Sequence, residues 1–502
     1  MEKEIIIETE QGKIKGYERE GIKKFKGIPY AEPPIGELRF RPSTLKEPWS
    51  GVLDCTKFGP VVPQRESFFT PQPPPLQDEE KCLTLNVWTP GVDDAKRPVL
   101  FWIHGGGFSF GSGSTTNGTN LAKLGNVVIV SINYRLGIFG YIFIEDEIAN
   151  LGQLDQITAL QWVRDNIIHF GGDPNNVTIF GESAGGVAVS ALMAMPAAKG
   201  LFNRVISQSG AAHPGSFHPK AGIKGAERIM TELGIKGFAV EALRKVSTQK
   251  IVNVQTKMEL EARAKNRNFP YGIYIDAKTL PKHPLEAIRD GVAADLELMV
   301  GTNQDEAKLY TALTPPRNLL DEEGLIKRTH NMIRFFSQEE GVPQKVIETY
   351  KKAREGVLPT EPQEILDAIS TDFRFRVSGI RLAEAQCKHQ PNVFSYLFTY
   401  KSPEMGGKLG ACHGLEIAFV FGTFGDRARG IVPKKSNETD ILSEKMMHSW
   451  ISFAQNGKPG HDGIPKWAHY ELKNRSTMIF GTEVKLVDDP FKMERMVWEG
   501  IF

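Results

Sequence analysis

Residues 177–195, VTIFGESAGGVAVSALMAM, carry the strongest structural signal of the chain. The first four residues form an apolar run that predicts a buried strand, and residues 187–195 predict a helix. Between them the pattern Gly-x-Ser-x-Gly places its serine at Ser183. This is the composition of a nucleophile elbow, a strained strand-to-helix turn whose neighbours must be small. Ser183 is therefore predicted to project from a sheet edge with a helix N-terminus behind it.

A second motif lies upstream, where HGGGF (residues 104–108) follows the apolar run 99–103. Consecutive glycines let backbone N–H groups turn toward one point without side-chain obstruction. Such a loop can bind the oxygen anion that develops when an acyl carbonyl is attacked. A plain turn and a phosphate cradle are the alternatives, but the Lys-Ser/Thr of a phosphate-binding loop is missing and the pattern is not GxGxxG. Because the loop precedes the elbow, the oxyanion interpretation is favoured.

The rest of the chain alternates strand and helix signals, which predicts an α/β fold with a mostly parallel central sheet flanked by helices. An amphipathic helix is predicted at residues 157–168, and further apolar runs predict strands at 127–132, 296–300 and 393–398. We expect a single domain over residues 1–502 with helical insertions at roughly 215–290 and 308–388. These insertions could cap the active edge of the sheet or form a solvated helical outer layer.

Composition excludes several functional classes. Lys and Arg number 61 against 60 Asp and Glu, so no global field attracts nucleic acid or acidic lipid. No apolar stretch reaches membrane-spanning length, and the N-terminus lacks the pattern of a secretory signal. The four cysteines are widely spaced and form no CxxC pair, which argues against zinc and favours a reducing cytoplasm. We expect a small or uncharged molecule as partner, with no nucleic acid and no membrane.

With these motifs and several others, the chain resembles the type-B carboxylesterase family, which also contains the cholinesterases. The other matching segments are FKGIPYA (25–31), LRFRP (38–42), CLTLNV (82–87), NYRLG (133–137) and FGGDPNNVT (170–178). The resemblance implies the α/β-hydrolase fold and a serine carboxylesterase. Its expected activity is hydrolysis of uncharged short- to medium-chain carboxylic esters through an acyl-enzyme intermediate.

The resemblance also implies the partners of Ser183. The family's catalytic acid matches Glu306 in GTNQDEA (301–307), which leaves the neighbouring Asp305 as a decoy. Ala307 stands where relatives have glycine, which could shift this loop. The family's histidine matches His413 in CHGLEIAF (412–419). A chain order of serine, acid and histidine is that of an α/β-hydrolase triad.

Further roles follow from the same resemblance. The backbone N–H groups of Gly106, Gly107 and Ala184 would form the oxyanion hole. Ser209 matches a position behind the triad, where a supporting role and simple burial are equally expected. No metal or organic cofactor is implied, so none is expected. A monomer or a small homo-oligomer is expected.

Two structural pairs are expected from relatives. Arg41 and Glu80 match the positions of a structural ion pair. A disulfide that some relatives carry should be absent, because Val62 replaces one partner of Cys82, unless Cys55 substitutes for it.

The sequence indicates less about substrate selectivity than about the catalytic residues. Cholinesterases hold a quaternary ammonium group on a tryptophan before the CLTLNV segment, and residues 62–81 contain none. Phe68, Phe69, Phe108 and Phe110 could line an apolar gorge, or could merely pack their loops. The alternatives to the esterase hypothesis are hydrolysis of amides or carbamates, a lipase, and a non-catalytic scaffold module. The proline-rich loop 71–75 does not resemble a lipase lid.

Overall fold

The computed structural model describes residues 3–67, 74–264, 269–312, 320–425 and 430–501. Phe68, Phe69 and most of the proline-rich loop lie outside these ranges. The chain forms two compact units. Unit one comprises residues 1–206, 216–296 and 454–457, and unit two comprises residues 207–215, 297–453 and 458–502.

Unit one holds the strands β1 (Lys3–Thr9), β2 (Gly12–Arg19), β3 (Ile22–Pro29), β4 (Val52–Asp54), β5 (Thr84–Thr89), β6 (Arg97–Ile103), β7 (Val128–Ile132) and β8 (Gly172–Glu182), and β9 (Arg204–Gln208) begins in it. Their order is β1-β2-β3-β5-β7-β6-β8-β9, and β4 pairs with β2. Strands β7, β6 and β8 run parallel, which confirms the predicted parallel core. The antiparallel additions β1, β2 and β3 were not predicted.

The helices of unit one are α1 (Thr119–Gly125), α2 (Gly137–Tyr141), α3 (Leu151–Asn166), α4 (Ala184–Leu192), α5 (Pro219–Leu233), α6 (Val240–Arg244), α7 (Thr248–Ala264) and α8 (Pro284–Arg289). The prediction of an amphipathic helix near residue 160 is wrong in one respect, because α3 is buried on nearly all sides. Polar side chains of this helix are buried together with partners: Asp155 accepts a hydrogen bond of 2.6 Å from Arg135. A polar residue at that position therefore faces the interior.

Unit two holds β10 (Glu297–Asn303), β11 (Val393–Phe398), β12 (Ser476–Phe480) and β13 (Val484–Asp488), in that order. The first three run parallel and β13 is antiparallel. Its helices are α9 (Lys308–Thr311), α10 (Glu322–Ile333), α11 (Val342–Arg354), α12 (Pro362–Thr371), α13 (Val377–Gln386), α14 (Glu416–Phe421), α15 (Asn437–Asn456), which begins here, and α16 (Lys492–Met496). A π-helical turn, Asp372–Arg376, joins α12 to α13.

The expected ion pair near residue 40 uses different residues. The buried pair joins Arg39 to Glu79, with Nη2 2.8 Å from Oε2, rather than Arg41 to Glu80. Arg41 instead lies 4.0 Å from the exposed carboxylate of Glu37. The left-handed backbone of Phe40 (φ 56°) reverses the side-chain direction between the two arginines, so that Arg41 is half-exposed. Spacing in the sequence does not reveal which of two neighbours turns inward.

All four cysteines are free thiols. Cys82 therefore has no disulfide partner, and Cys55 does not replace the cysteine that some relatives have at the position of Val62. In the part of the chain that the structure describes, no helix combines the length and the apolarity that crossing a bilayer requires.

Candidate active site

Ser183 lies in the turn that joins β8 to α4 in unit one. Its backbone has φ 57° and ψ −120°, a conformation that non-glycine residues rarely adopt. Such strain costs about 1–3 kcal/mol and persists only where the surrounding structure enforces it. Here the carbonyl of Ser183 already accepts the first helical hydrogen bond, from Val187 N at 2.9 Å. The half-buried side chain is thereby held at the start of a helix.

The two glycines of the motif are required by space. A Cβ on Gly181 would lie 2.6 Å from the carbonyl group of Gly185. A Cβ on Gly185 would overlap the carbonyl oxygen of Ile103, the last residue of β6. The turn is therefore so tight that strand and helix pack backbone against backbone, which is the arrangement that the Gly-x-Ser-x-Gly pattern predicts.

The glycine loop after β6 packs against this elbow. A Cβ on Gly105 would lie 2.7 Å from the carbonyl oxygen of Glu182 and 3.0 Å from the Cβ of Ser183. Gly106 and Gly107 follow with φ of 109° and 64°, values open to glycine. Unit one therefore places the start of the loop that carries Gly106 and Gly107 against Ser183, and Ala184 is the next residue after the serine.

His104 anchors the start of the loop rather than taking part in proton transfer. Its ring is buried, stacks on Tyr134 at 4.5 Å and donates from Nδ1 to the carbonyl of Gly105 at 2.8 Å. Burial lowers the pKa of His104 to about 4, so the ring is neutral at physiological pH. Tyr134 also donates to the carbonyl of His104 at 2.7 Å. These contacts fix the point at which the glycines begin.

Unit two contains the predicted acid and base in direct contact. His413 Nδ1 lies 2.6 Å from Glu306 Oε2, and the carboxylate is completely buried. The second carboxylate oxygen accepts a 2.7 Å hydrogen bond from Asn303 N, which fixes its orientation. Because Nδ1 donates to Glu306, the neutral ring carries its lone pair on Nε2, the nitrogen that can act as a base.

Asp305 faces elsewhere, as expected of a decoy. Its carboxylate accepts from Ala411 N at 3.0 Å and lies 3.2 Å from Lys308 Nζ. Ala307, where relatives have glycine, has φ −64° and ψ −21°, an ordinary helical conformation. Its N–H donates to Thr371 Oγ1 at 3.1 Å. Since the position needs no positive φ, alanine is accommodated without backbone strain.

Aromatic rings flank the imidazole of His413. The ring of Phe375, from the π-helical turn, lies 4.7 Å away, and that of Tyr310 lies 5.8 Å away. Single π-helical turns often occur at functional sites, because the extra residue redirects side chains. In unit one, the half-buried Phe108 packs on Tyr141 at 4.6 Å. The histidine of unit two and the glycine loop of unit one therefore each have aromatic neighbours.

Sequence reasoning missed a second buried carboxylate, Glu416. Its Oε2 accepts from Asn303 Nδ2 at 2.6 Å, and its Oε1 accepts from Gln208 Nε2 at 3.2 Å. Burial, followed by the negative charge of Glu306, raises the pKa of Glu416 to about 7. The only sequence signal was its position three residues after His413, at the start of α14.

We predict that Glu416→Gln changes how stability depends on pH. Because the folded-state pKa is raised, the folded protein keeps this proton between about pH 4.3 and pH 7, whereas the unfolded chain releases it. Wild type therefore loses stability as pH rises through this window, and the variant does not. The melting temperature of the variant should gain about 2–4 °C on wild type between pH 4.5 and pH 7.5, measured by scanning fluorimetry.

The matched control is Glu438→Gln, which removes a carboxylate from an exposed position of α15. Its melting temperature should follow wild type at every pH. Parallel curves for Glu416→Gln and wild type would show that Glu416 does not titrate in this range.

Ser209, expected behind the triad, is completely buried at the end of β9 with φ 47°. Its N–H donates to the carbonyl of Gly301 at 2.8 Å. Its Oγ has no hydrogen-bond partner among the described residues. The structure thus places Glu306, His413 and Ser209 in unit two, and Ser183 with the glycine loop in unit one.

Within the described ranges, no group of three or more His, Cys, Asp or Glu side chains is arranged to hold a metal ion. The chemistry available from the residues above is nucleophilic attack by a serine, proton transfer by a histidine, and binding of an oxyanion by backbone N–H groups.

Known proteins match this chain along nearly its full length. A family model described as the carboxylesterase family matches residues 3–498. The para-nitrobenzyl esterase of Bacillus subtilis (strain 168) is 35% identical over 98% of this chain and 97% of its own. The phenmedipham hydrolase of Pseudarthrobacter oxydans is 33% identical over 95% of each chain.

Similar solved structures are also esterases. A structure titled as a thermophilic PNB esterase superposes with a TM-score of 0.86 at 34% identity and covers 99% of both chains. The carboxylesterase EST55 of Geobacillus stearothermophilus superposes with a TM-score of 0.85 at 36% identity, over 98% of this chain and 99% of its own.

Proposed function

Because the chain belongs to the carboxylesterase family and is a carboxylic ester hydrolase with the α/β-hydrolase fold, we propose that it cleaves uncharged short- to medium-chain esters through an acyl-enzyme intermediate. The observation that carries this proposal is the conformation of Ser183, a strained serine at a helix start with the glycine loop against it. A protein retains such strain where a reactive group must be presented.

In the proposed mechanism, Ser183 Oγ attacks the ester carbonyl as His413 Nε2 takes its proton. The carbonyl oxygen becomes an anion, which accepts hydrogen bonds from the N–H groups of Gly106, Gly107 and Ala184. The tetrahedral intermediate then collapses, the C–O bond to the alcohol breaks, and His413 returns the proton to the departing alcohol. The products of this first half-reaction are the free alcohol and acyl-Ser183.

Water completes the cycle by the same steps. His413 takes a proton from water as the water oxygen attacks the acyl carbonyl. When the second intermediate collapses, the C–O bond to Ser183 breaks, His413 returns the proton to Ser183 Oγ, and a carboxylic acid is released. The carboxylate of Glu306 stabilises the imidazolium that forms in each half-reaction and keeps its ring orientation, which agrees with the 2.6 Å hydrogen bond to Nδ1.

The preference for uncharged substrates is supported by the apolar rings around His413 and by Phe108 beside the glycine loop. Each buried methylene contributes about 0.8 kcal/mol, or roughly fourfold in kcat/KM, until the acyl pocket is full. On p-nitrophenyl acetate, butyrate, octanoate and palmitate, we expect kcat/KM to be greatest at butyrate or octanoate. Palmitate should be at least about tenfold slower.

Highest activity on palmitate emulsions would contradict this chain-length proposal and favour a lipase. A matched p-nitrophenyl carbamate in the same series tests the carbamate alternative. The intermediate is tested by adding methanol to p-nitrophenyl butyrate and phenyl butyrate: a shared butyryl-enzyme must give the same ratio of methyl butyrate to butyrate from both. Different ratios would contradict an acyl-enzyme.

We also propose that the enzyme works in the cytoplasm, as a monomer or small homo-oligomer that binds neither nucleic acid nor membrane. The four free thiols suit a reducing compartment. Light scattering after size exclusion gives the oligomeric state directly.

A further inference from the structure

The glycine loop of unit one is tied to helix α7 through a buried serine. Ser109, two residues after Gly107, is completely inaccessible to solvent. Its Oγ donates a hydrogen bond to the carboxylate of Glu259. Glu259 lies in α7 and is also completely buried. The hydrolysis mechanism proposed above assigns no role to this carboxylate.

Glu259 collects hydrogen bonds from several sides. Besides Ser109, its Oε1 accepts from Tyr271 Oη and from Gln255 Nε2, the latter at 2.9 Å. Its Oε2 accepts from Arg65 Nε in an ion pair. A buried carboxylate with donors on both oxygens is compensated for its lost hydration. The same donors also fix its position, since any displacement would break several bonds at once.

The contacts of α7 extend to the segment on which the loop rests. Gln255, one turn before Glu259, accepts a 3.0 Å hydrogen bond from Ile138 N. The preceding residue, Gly137, donates from its N–H to the carbonyl of Phe108 at 2.6 Å. Adjacent turns of α7 therefore bind the loop directly at Ser109 and also bind the segment at residues 137–138, which contacts Phe108.

The loop needs such support because its own backbone restricts it only in part, through hydrogen bonds to the carbonyl of Gly106 from Ser109 N at 3.1 Å and Phe110 N at 3.3 Å. Gly106 and Gly107 have positive φ and no side chains, so their N–H groups are free to point in many directions. Phe108 also has a positive φ, 58°, which an L-residue keeps only under external constraint. Oxyanion stabilisation depends on donors that are already in place before the charge develops.

We propose that Glu259 is a positioning residue for ester hydrolysis, which acts through Ser109 to hold the N–H groups of Gly106 and Gly107 in place for the oxyanion. The inference rests on the proposed function, which assigns those N–H groups to the oxyanion hole. Glu259 does not touch the substrate, and it acts on the transition state more than on the bound ester.

The test is Glu259→Gln, which keeps the shape of the side chain and removes its charge. The amide has one acceptor oxygen in place of two, so one of the surrounding donors loses its partner. We expect kcat for p-nitrophenyl butyrate to fall about tenfold to a hundredfold, with KM within about threefold of wild type. The inhibition constant of an alkyl trifluoromethyl ketone should rise by the same factor as kcat/KM falls, because its adduct carries an oxyanion.

Two further variants isolate the effect. Glu261→Gln alters a carboxylate of the same helix that pairs with Arg228 at the surface, and it should match wild type in every readout. Ser109→Ala removes only the hydroxyl that joins the loop to Glu259, and it should lower kcat about tenfold with unchanged KM. If Glu259 acts through Ser109, the double variant should lose much less than the product of the two single losses.

Each result decides the proposal. If folded Glu259→Gln and Ser109→Ala keep wild-type kcat and inhibitor affinity, the positioning role is refuted. The same holds if the fraction of titratable active sites falls while turnover per site is unchanged, since the network would then serve folding alone. Should Glu259→Gln fail to fold, Ser109→Ala decides by itself. Failure of the proposed function is separate, because wild type would then show no Ser183-dependent ester hydrolysis.

Discussion

Replacing Ser183 with alanine is expected to lower kcat for p-nitrophenyl butyrate by about a millionfold. The variant lacks the oxygen that would form the acyl bond, so the residual rate comes only from binding and from the oxyanion donors. Initial rates measured at saturating ester give kcat. Intact-protein mass spectrometry after treatment with a fluorophosphonate should show one adduct on wild type and none on the variant.

The fold should tolerate this substitution. Alanine and serine both carry a Cβ, so the strained backbone at φ 57° is as costly for one as for the other. The tight contacts of the elbow are backbone contacts among Gly181, Gly185 and Ile103, and the substitution leaves all of them in place. The melting temperature is therefore expected to stay close to that of wild type.

Ser190→Ala is the matched control. Ser190 lies in α4, is buried, and donates from Oγ to the carbonyl of Val187 at 2.8 Å. Its loss should leave kcat within about twofold, since no step of the mechanism uses it. If Ser183→Ala retained more than a hundredth of the wild-type rate, the nucleophile would have to be sought elsewhere.

The elbow was predictable from the sequence because its constraint is local. Backbone packing at Gly181 and Gly185 excludes every side chain, so the turn imposes glycine at fixed positions and the apolar residues before it mark the strand. The acid and base were different. Glu306 and His413 lie 107 positions apart in the chain, and only the family motif around each distinguished them from other carboxylates and histidines.

Supporting residues were not predictable for a related reason. In the sequence, Glu259 is one of many charged residues in a predicted helix. No neighbouring residue indicates that Ser109 and Arg65 bind its carboxylate. The incorrect choice of Arg41 over Arg39 has the same origin, because a single left-handed residue decides which arginine is buried. A motif reflects the geometry of neighbouring backbone residues. Contacts between residues that are distant in the sequence form only when the chain folds, so no local pattern indicates them.

Glu306, rather than Asp305, carries the carboxylate that contacts His413. Glu306→Gln is expected to lower kcat by about a thousandfold to ten-thousandfold with little change in KM. The amide must still accept from Asn303 N, so its single oxygen is held there and its NH2 group faces His413 Nδ1. That nitrogen must then accept, which moves the ring proton to Nε2 and removes the base for Ser183. Saturation kinetics on p-nitrophenyl butyrate give both constants.

Asp305→Asn is the control that makes this test specific, because it removes the same charge one residue away. The amide oxygen of this variant could still accept from Ala411 N, so only the ion pair with Lys308 is lost. Lys308 keeps its second partner, Glu364, at 3.0 Å, and no step of the mechanism uses Asp305, so kcat should stay within about threefold. A loss in Asp305→Asn as large as that in Glu306→Gln would mean that removing either charge disturbs the loop that carries both, and the assignment of Glu306 would fail. If only Glu306→Gln loses activity, the tautomer of His413, and not the charge of the loop, controls the rate.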